Sequence, residues 1–235
     1  MTHALSRARS VYQRDGLAGV ARAIKSKVSE PAATSRGLAY QEKVASSNLP
    51  RWRMIERELP DPCHTALDIG SNLGFMTAQC ANRGIWSLGV EVSPKLVEHA
   101  NDLYAGQPGC GFMVGEFDPA EVSLLPRFDL VLALSVSHNW YHAYGAEAEL
   151  AMLRGLAQKS SVMVFEGPSR QERYGPKPPM FTDNDEASVT HYYAERLAQV
   201  CEGIDKHYVL LGRSAGVGQR EPFRWLYAIH DGAQH

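Results

Sequence analysis

The chain has 235 residues, of which 44% are hydrophobic and 21% are charged. This composition is that of a globular protein and excludes disordered, collagenous and fibrous classes, and the length suits one α/β domain plus an extension. Residues 1–60 carry a net charge of +6, so the rest of the chain carries −8 within a total of −2. A body this acidic disfavours a large nucleic-acid footprint, because phosphate binding needs clustered Lys and Arg.

The four cysteines are widely spaced, without the C-x-x-C separation that zinc ribbons and redox motifs use: Cys63, Cys80, Cys110 and Cys201. Free thiols and no metal site are therefore predicted. The chain has no apolar window near the roughly 20 residues of a membrane span, and it shows no signal-peptide pattern. These features predict a cytoplasmic protein.

The segment 10–28 has apolar residues at helical spacing and basic residues mostly on other faces, which predicts a basic amphipathic helix. Such a helix can make peripheral contact with an anionic membrane, and the alternative is packing on the domain or on a second subunit. Residues 29–37 are small, polar and interrupted by Pro31, so they predict a linker. The predicted units are therefore 1–37, helix and linker, and 38–235, the main domain.

Beyond this linker, helical and strand patterns alternate in the way that is typical of βαβ units and a buried parallel sheet. We predict helices over about 40–58 and 188–202 and a doubly wound α/β sheet of seven strands. The sheet is expected to be mostly parallel, with the last two strands as an antiparallel hairpin at its edge. The predicted strands are Thr65–Ile69, Ser87–Val92, Gly111–Phe117, Phe128–Ser135, Ser161–Glu166, His207–Arg213 and Phe223–His230.

A tight turn in the segment TALDIGSNLGFMTAQ joins the first strand to a helix and contains Asp68, Gly70 and Gly74. Glycines here let a ligand lie against the backbone, the helix N-terminus offers N–H groups to a carboxylate, and Asp68 can face an amino group. Glu91 ends the second strand seventeen residues after Gly74, where a carboxylate accepts hydrogen bonds from the hydroxyls of a ribose. This pair of acids favours an adenosyl ligand with a zwitterionic tail.

A dinucleotide is the alternative ligand for such a turn. Its fingerprint, G-x-G-x-x-G, is absent because Asn72 occupies the position of the middle glycine. The turn therefore disfavours a nicotinamide-dependent oxidoreductase.

With the D-x-G-x-x-x-G turn, the acid ending the second strand and the FDLV fourth strand, residues 40–230 resemble the class I S-adenosylmethionine-dependent methyltransferases. The resemblance implies a Rossmann-like fold and S-adenosyl-L-methionine as the methyl donor. The GEFDP segment departs from the family's usual pattern, which leaves Asp118 as an alternative to Glu116 beside the adenine. The donor-binding residues that the resemblance implies are Asp68, Gly70, Ser71, Asn72, Gly74, Glu91, Val92, Glu116, Phe117 and Ser135.

The segment 135–142 follows the fourth strand and mixes polar with aromatic residues, which predicts a wall of the site rather than core. Because ligands bind beyond the carboxyl ends of parallel strands, this segment is expected to face the donor's sulfonium. His138 or His142 is a candidate general base for an acceptor hydroxyl, and Trp140 and Tyr141 are candidate substrate contacts. In the alternative interpretation a histidine caps the helix or makes an internal hydrogen bond, and transfer to an anionic oxygen needs no base.

The L-S-V of residues 134–136, with nearby His and Trp, is similar to two phosphate-directed branches of the superfamily. They are RNA 5'-phosphate methyltransferases of the bicoid-interacting type and the methyltransferase domain of bacterial O-antigen chain terminators. The long loop 167–187 is predicted to be a lid or binding loop, with Arg170 and Arg173 as contacts for an anionic acceptor. The alternative for this loop is a solvated, charged connection.

We therefore predict methyl transfer to an oxygen acceptor, on a bacterial surface-glycan or lipid-linked intermediate. A small-molecule natural-product O-methyltransferase is an alternative, and so is a non-catalytic partner subunit that binds S-adenosylmethionine. A loop of mixed charge and aromatic residues suits a sugar, a phosphate, a phenol or a small acid, so these alternatives stay open.

Overall fold

The structure is a computed structural model that describes residues 48–168, 185–215 and 223–232. The predicted amphipathic helix, the linker and the boundary between 37 and 38 lie outside the described residues, as do Arg170 and Arg173. Within the described part, no helix is both long and apolar enough to cross a membrane.

Seven strands form one sheet in the order β3-β2-β1-β4-β5-β7-β6. Strands β1 to β5 pair in parallel, while β7 is antiparallel to both of its neighbours, β5 and β6. The predicted doubly wound sheet with an antiparallel edge hairpin is therefore confirmed, with β6 at the edge. The strands are β1 Thr65–Ile69, β2 Trp86–Glu91, β3 Cys110–Val114, β4 Phe128–Leu134, β5 Ser160–Gly167, β6 Lys206–Ala215 and β7 Phe223–Asp231.

Helices occupy the connections between the strands and cover both faces of the sheet. The first described helix, α1, covers residues 48–55 and continues as a 3-10 turn at Glu56–Glu58. The other helices are α2 Phe75–Asn82, α3 Pro94–Leu103, α4 Pro119–Leu124, α5 Ser137–Tyr144, α6 Ala146–Gln158 and α7 Glu186–Cys201.

The third strand is shorter than predicted, because it ends at Val114 and not at Phe117. Asp118 accepts hydrogen bonds from the N–H groups of Ala120 and Glu121, both at 2.8 Å, and the Glu121 carboxylate accepts from Asp118 N–H at 3.1 Å. This capping box starts α4 and requires the chain to leave the sheet before Phe117. Asp118 is therefore a helix cap.

The hydrophobic core lies on both faces of the sheet, as β4 illustrates. Leu130, Leu132 and Leu134 pack into one cluster with α1 and α2, whereas Val131 and Ala133 pack into the other with α6 and α7. A strand buried on both faces has to be apolar at successive positions, which is the pattern of FDLVLAL. Charged groups on this strand are therefore confined to its ends.

Gly74 is the N-cap of α2 and has a left-handed φ of 80°. A Cβ atom built on Gly74 would lie 2.3 Å from the Phe112 ring of β3. The glycine thus provides close packing of helix on sheet as well as the backbone conformation of the turn.

Replacing Gly74 with Ala is expected to destabilise the fold by about 1–3 kcal/mol more than the matched Gly84→Ala change. Gly84 also has a positive φ, 76°, but its Cβ would meet open space, so the difference isolates the clash with Phe112. Urea unfolding of the two variants measures the difference between their free energies of unfolding. Equal losses of stability would show that Phe112 moves aside without cost.

Candidate active site

The candidate site lies at the carboxyl ends of β1, β2 and β4. β1 pairs with β2 on one side and with β4 on the other, so the sheet reverses its winding between β1 and β4. Doubly wound sheets bind their ligands at this position, because the loops that leave the two strands diverge and open a crevice. The turn after β1 lies at this crevice.

Asp68 ties the end of β1 to the first turn of α2. Its Oδ2 accepts hydrogen bonds from Thr77 N–H at 3.1 Å and from Thr77 Oγ1 at 2.7 Å. Burial raises the pKa of Asp68 to about 6, although the Thr77 hydroxyl and the charge of Arg51 act in the opposite direction. This carboxyl therefore gains from any additional cation that approaches it.

The N–H groups of the turn between β1 and α2 all donate within the protein. Gly70 and Ser71 donate to the Val90 carbonyl at 2.8 and 3.1 Å, and Gly74 donates to Ser71 O at 2.8 Å. Asn72 donates to Glu91 Oε2 at 3.1 Å, and Leu73 donates to Asn72 Oδ1 at 2.8 Å. These bonds hold the conformation of the turn. The N–H groups that are predicted to meet a ligand carboxylate are those at the N-terminus of α2, and that role stays a prediction.

Glu91 is held in place by backbone N–H groups on both sides. Its Oε2 accepts from Asn72 and its Oε1 accepts from Ser93 N–H at 3.0 Å, and the side chain is buried. A carboxylate has about four lone-pair sites, so each oxygen still has capacity for a ribose hydroxyl. Val92 follows with 54% of its side chain exposed, which provides apolar surface beside the carboxylate. The geometry fits an adenosyl group.

The remaining predicted donor contacts differ in their surroundings. The side chain of Ser71 packs over Gly89 of β2, and a Cβ on Gly70 would lie 2.4 Å from Val136 Cγ1. Glu116 is exposed and Phe117 is half-buried against the core, both in the loop after β3. Their contacts with the donor stay predictions.

The segment after β4 forms helix α5, and the expectation that it is too polar for the core is wrong. Trp140 and Tyr141 are only 6% and 9% exposed and belong to the core cluster under α6 and α7. His138 is buried as well, whereas His142 is half-buried and contacts the Tyr141 ring at 5.9 Å between centroids. Their predicted roles toward the acceptor stay predictions.

A buried charged cluster that we did not predict adjoins this site at the ends of β4 and β5. Glu166 is fully buried, and its Oε2 accepts from Arg51 Nη1 at 2.9 Å and from the Ser135 hydroxyl. Its Oε1 accepts from Ser214 Oγ, and Arg224 Nη1 lies 3.7 Å from Oε2 and donates to Ser135 Oγ. Burial alone would raise the pKa of Glu166, but the two guanidinium groups and the two hydroxyls hold it below its ordinary value.

The sequence contains one indication that Glu166 belongs to the site. Like Glu91, it is a carboxylate at the end of an otherwise apolar strand, in VMVFEG. No local pattern identifies Arg51, because it is 115 positions away from its partner.

A shallow surface cavity of about 320 Å³ lies elsewhere, among Glu58, Pro60, Ser161 and His230. Ser161 is near the start of β5 and His230 near the end of antiparallel β7, so this cavity is at the amino ends of the parallel strands. It plays no part in the site at their carboxyl ends.

Comparison with known proteins agrees with this architecture. Residues 67–158 match the family model described as a methyltransferase domain. The O-antigen chain terminator bifunctional methyltransferase/kinase WbdD of Escherichia coli is 25% identical over 123 residues, which cover 51% of this chain and 17% of that protein.

Solved structures share the fold. A medium-resolution structure of WbdD superposes with a TM-score of 0.59 and 18% identity, covering 77% of this chain and 39% of that one. The N-terminal domain of EvdMO1, crystallised in the presence of S-adenosylhomocysteine and D-fucose, gives a TM-score of 0.51 and 17% identity. That likeness covers 77% of this chain and 82% of the other.

The strand order, the glycine turn with its two carboxylates and the domain match are consistent with one another, although the chain spans less than half the length of WbdD. The chain thus has a Rossmann-like fold, and residues 67–158 resemble a methyltransferase domain.

Replacing Asp68 with Asn gives a test of the buried carboxyl, because Asn still accepts from Thr77 but does not titrate. The folded state binds this proton more tightly than the unfolded state, so its stabilisation is present below about pH 4 and is lost as the pH rises through about 6. The unfolding free energy of the wild type relative to the variant should therefore fall by up to about 3 kcal/mol from pH 4 to pH 7. Denaturant unfolding across this range measures the difference, and a pH-independent difference would contradict the assignment.

Proposed function

We propose that this enzyme methylates an oxygen of a surface-glycan or lipid-linked intermediate, with S-adenosyl-L-methionine as the donor. The observation that carries the donor assignment is the pair of buried carboxylates, Asp68 and Glu91, on either side of the glycine turn. The acceptor class is supported by the relatives, since WbdD is an O-antigen chain terminator and the EvdMO1 domain was crystallised with D-fucose.

Each carboxylate has a distinct task toward the donor. Asp68 lies at the strand end beside α2 and binds the ammonium of the donor's amino-acid tail, because a buried carboxyl with a raised pKa is stabilised by a cation. Glu91 accepts hydrogen bonds from the ribose hydroxyls while Asn72 and Ser93 keep its carboxylate oriented. The exposed side chain of Val92 and the ring of Phe117 provide apolar contacts for the adenine.

When bound, the donor supplies an activated methyl: an acceptor oxygen lone pair forms the new C–O bond as the C–S bond breaks and its electron pair stays on sulfur. An acceptor hydroxyl also loses a proton, and we propose His138 or His142 of α5 as the base that takes it. An oxyanion acceptor loses its negative charge and needs no base. Arg170 and Arg173 are proposed to contact such an anion.

We further propose that the enzyme acts in the cytoplasm, at the inner face of the membrane. The basic amphipathic pattern of residues 10–28 supports peripheral contact with an anionic surface.

Donor binding is tested by Glu91→Gln, which keeps the shape of the side chain and removes its charge. Affinity for S-adenosylhomocysteine should fall about tenfold or more, because hydrogen bonds to charged groups contribute about 1.5–3 kcal/mol. Titration calorimetry measures it, with Glu98→Gln on the exposed side of α3 as the matched control. Unchanged affinity in Glu91→Gln would remove the ribose assignment.

The acceptor is tested by incubating the protein and radiolabelled donor with a cell lysate that is then separated into lipid, polysaccharide, RNA and small-molecule fractions. Label in the lipid or polysaccharide fraction is expected, and Glu91→Gln should reduce it. Label confined to RNA would exclude the glycan acceptor, and label confined to small molecules would favour a natural-product O-methyltransferase. Donor binding without any transfer would indicate a non-catalytic partner subunit.

A further inference from the structure

The residue that follows β4, Ser135, has an unusual backbone conformation. Its φ is 61°, and Asn72 is the other non-glycine residue with a positive φ in the part of the chain that the structure describes. This left-handed region disfavours a side chain with a Cβ by about tenfold in population, and asparagine tolerates it better than serine does. Other groups of the protein therefore have to hold Ser135 in this conformation.

The neighbouring strand β1 ends in the same way, but with a glycine. Gly70 follows β1 directly and has a φ of 71°, just as Ser135 follows β4. The two strands pair in parallel, so both left-handed residues lie at the carboxyl edge of the sheet. Glycine adopts this conformation without a steric cost, whereas serine needs compensating bonds from its own side chain.

Three hydrogen bonds from β5 and β7 hold Ser135. Its N–H donates to the Glu166 carbonyl at 2.9 Å, its hydroxyl donates to the Glu166 carboxylate, and Arg224 Nη1 donates to the same hydroxyl. Glu166 is fully buried, and it also accepts from Arg51 and Ser214. Because its partners come from several elements, this carboxylate has a fixed orientation from which it can hold Ser135.

The conformation of Ser135 determines the direction of the segment that follows it. Val136 is the N-cap of α5 and lies against Gly70, since a Cβ on that glycine would come within 2.4 Å of Val136 Cγ1. Helix α5 begins at the next residue and carries both proposed bases. A change of φ at Ser135 would therefore rotate α5 relative to the turn between β1 and α2.

We propose that Glu166 and Arg224 are positioning residues that hold Ser135 in the left-handed conformation and thereby fix α5 at the edge of the site. They act through Ser135 and touch neither donor nor acceptor in this role. The inference rests on the proposed function, because α5 is the helix to which that function assigns the base. A strained residue persists only where its surroundings over-determine it, and such residues cluster at active sites.

Two substitutions of Ser135 separate this role from the simple loss of a hydrogen bond. Ser135→Ala removes the hydroxyl but keeps the Cβ that disfavours a positive φ, whereas Ser135→Gly removes both. Hydrogen–deuterium exchange of the α5 amides should be about tenfold faster in Ser135→Ala and within about threefold of the wild type in Ser135→Gly. Ser160→Ala, which removes a buried hydroxyl at the amino end of β5, is the matched control and should leave exchange in α5 unchanged.

The role of the carboxylate is tested by a rescue experiment. Glu166→Gln should lower the maximum rate of label transfer to the lipid or polysaccharide fraction about tenfold, while the affinity for S-adenosylhomocysteine stays within about threefold of the wild type. Adding Ser135→Gly to this variant should restore most of the rate, because a glycine keeps a positive φ without help from the carboxylate. If Glu166 only stabilised the fold, the double variant would be no more active than Glu166→Gln.

Exchange in α5 that is as fast in Ser135→Gly as in Ser135→Ala, or unchanged in Ser135→Ala, would overturn the proposal, and so would the absence of rescue. If Glu166→Gln does not fold, the comparison of the two variants of Ser135 decides alone. Failure of the proposed function is a separate result, because the wild type would then transfer label to no fraction while the order of the exchange rates still reports on Ser135.

Discussion

A parallel sheet that is buried on both faces leaves the carboxyl ends of its strands as the place where charged side chains meet. Asp68, Glu91 and Glu166 each occupy the last or the penultimate position of a strand. Since β1, β2 and β5 run in the same direction, these carboxylates lie along one edge of the sheet. The site depends on this arrangement, because each acid is carried by a rigid strand.

Burial by itself raises the pKa of both Asp68 and Glu166, but the side chains around them shift the two pKa values in opposite directions. Glu166 is flanked by two arginines, which hold its pKa down and keep it ionised inside the protein. Asp68 has the Thr77 side chain and backbone as its hydrogen-bond partners, and its pKa rises to about 6. Glu166 thus has cationic partners within the protein, whereas a further cation beside Asp68 would lower the pKa of that carboxyl.

The fold alone leaves the acceptor open, because proteins that share a sheet differ in the segments above it. WbdD and the EvdMO1 domain resemble this chain over the same core at 18% and 17% identity. Helix α5 contributes less to an open wall than its composition indicates, because Trp140 and Tyr141 pack into the core. Trp140 and Tyr141 are therefore less available for contact with an acceptor than the sequence pattern indicates.

The sequence by itself determined the succession of the seven strands along the chain, the glycine turn and the carboxylates of Asp68 and Glu91 at the strand ends. Apolar runs and turn residues are local signals, and a parallel sheet converts their order along the chain into positions at one edge. The end of β3 was not determined in this way, because the capping box of Asp118 competes with strand pairing. The burial of α5 was also undetermined, since it depends on packing with α6 and α7.

Only the tertiary structure decided that the N–H groups of the turn are occupied and that Arg51 and Arg224 share Glu166. These groups lie on separate elements, α1, β7 and β5, and Arg51 is 115 positions from Glu166. The energy of a buried charge depends on which side chains surround it in space, and no spacing along the chain contains that information.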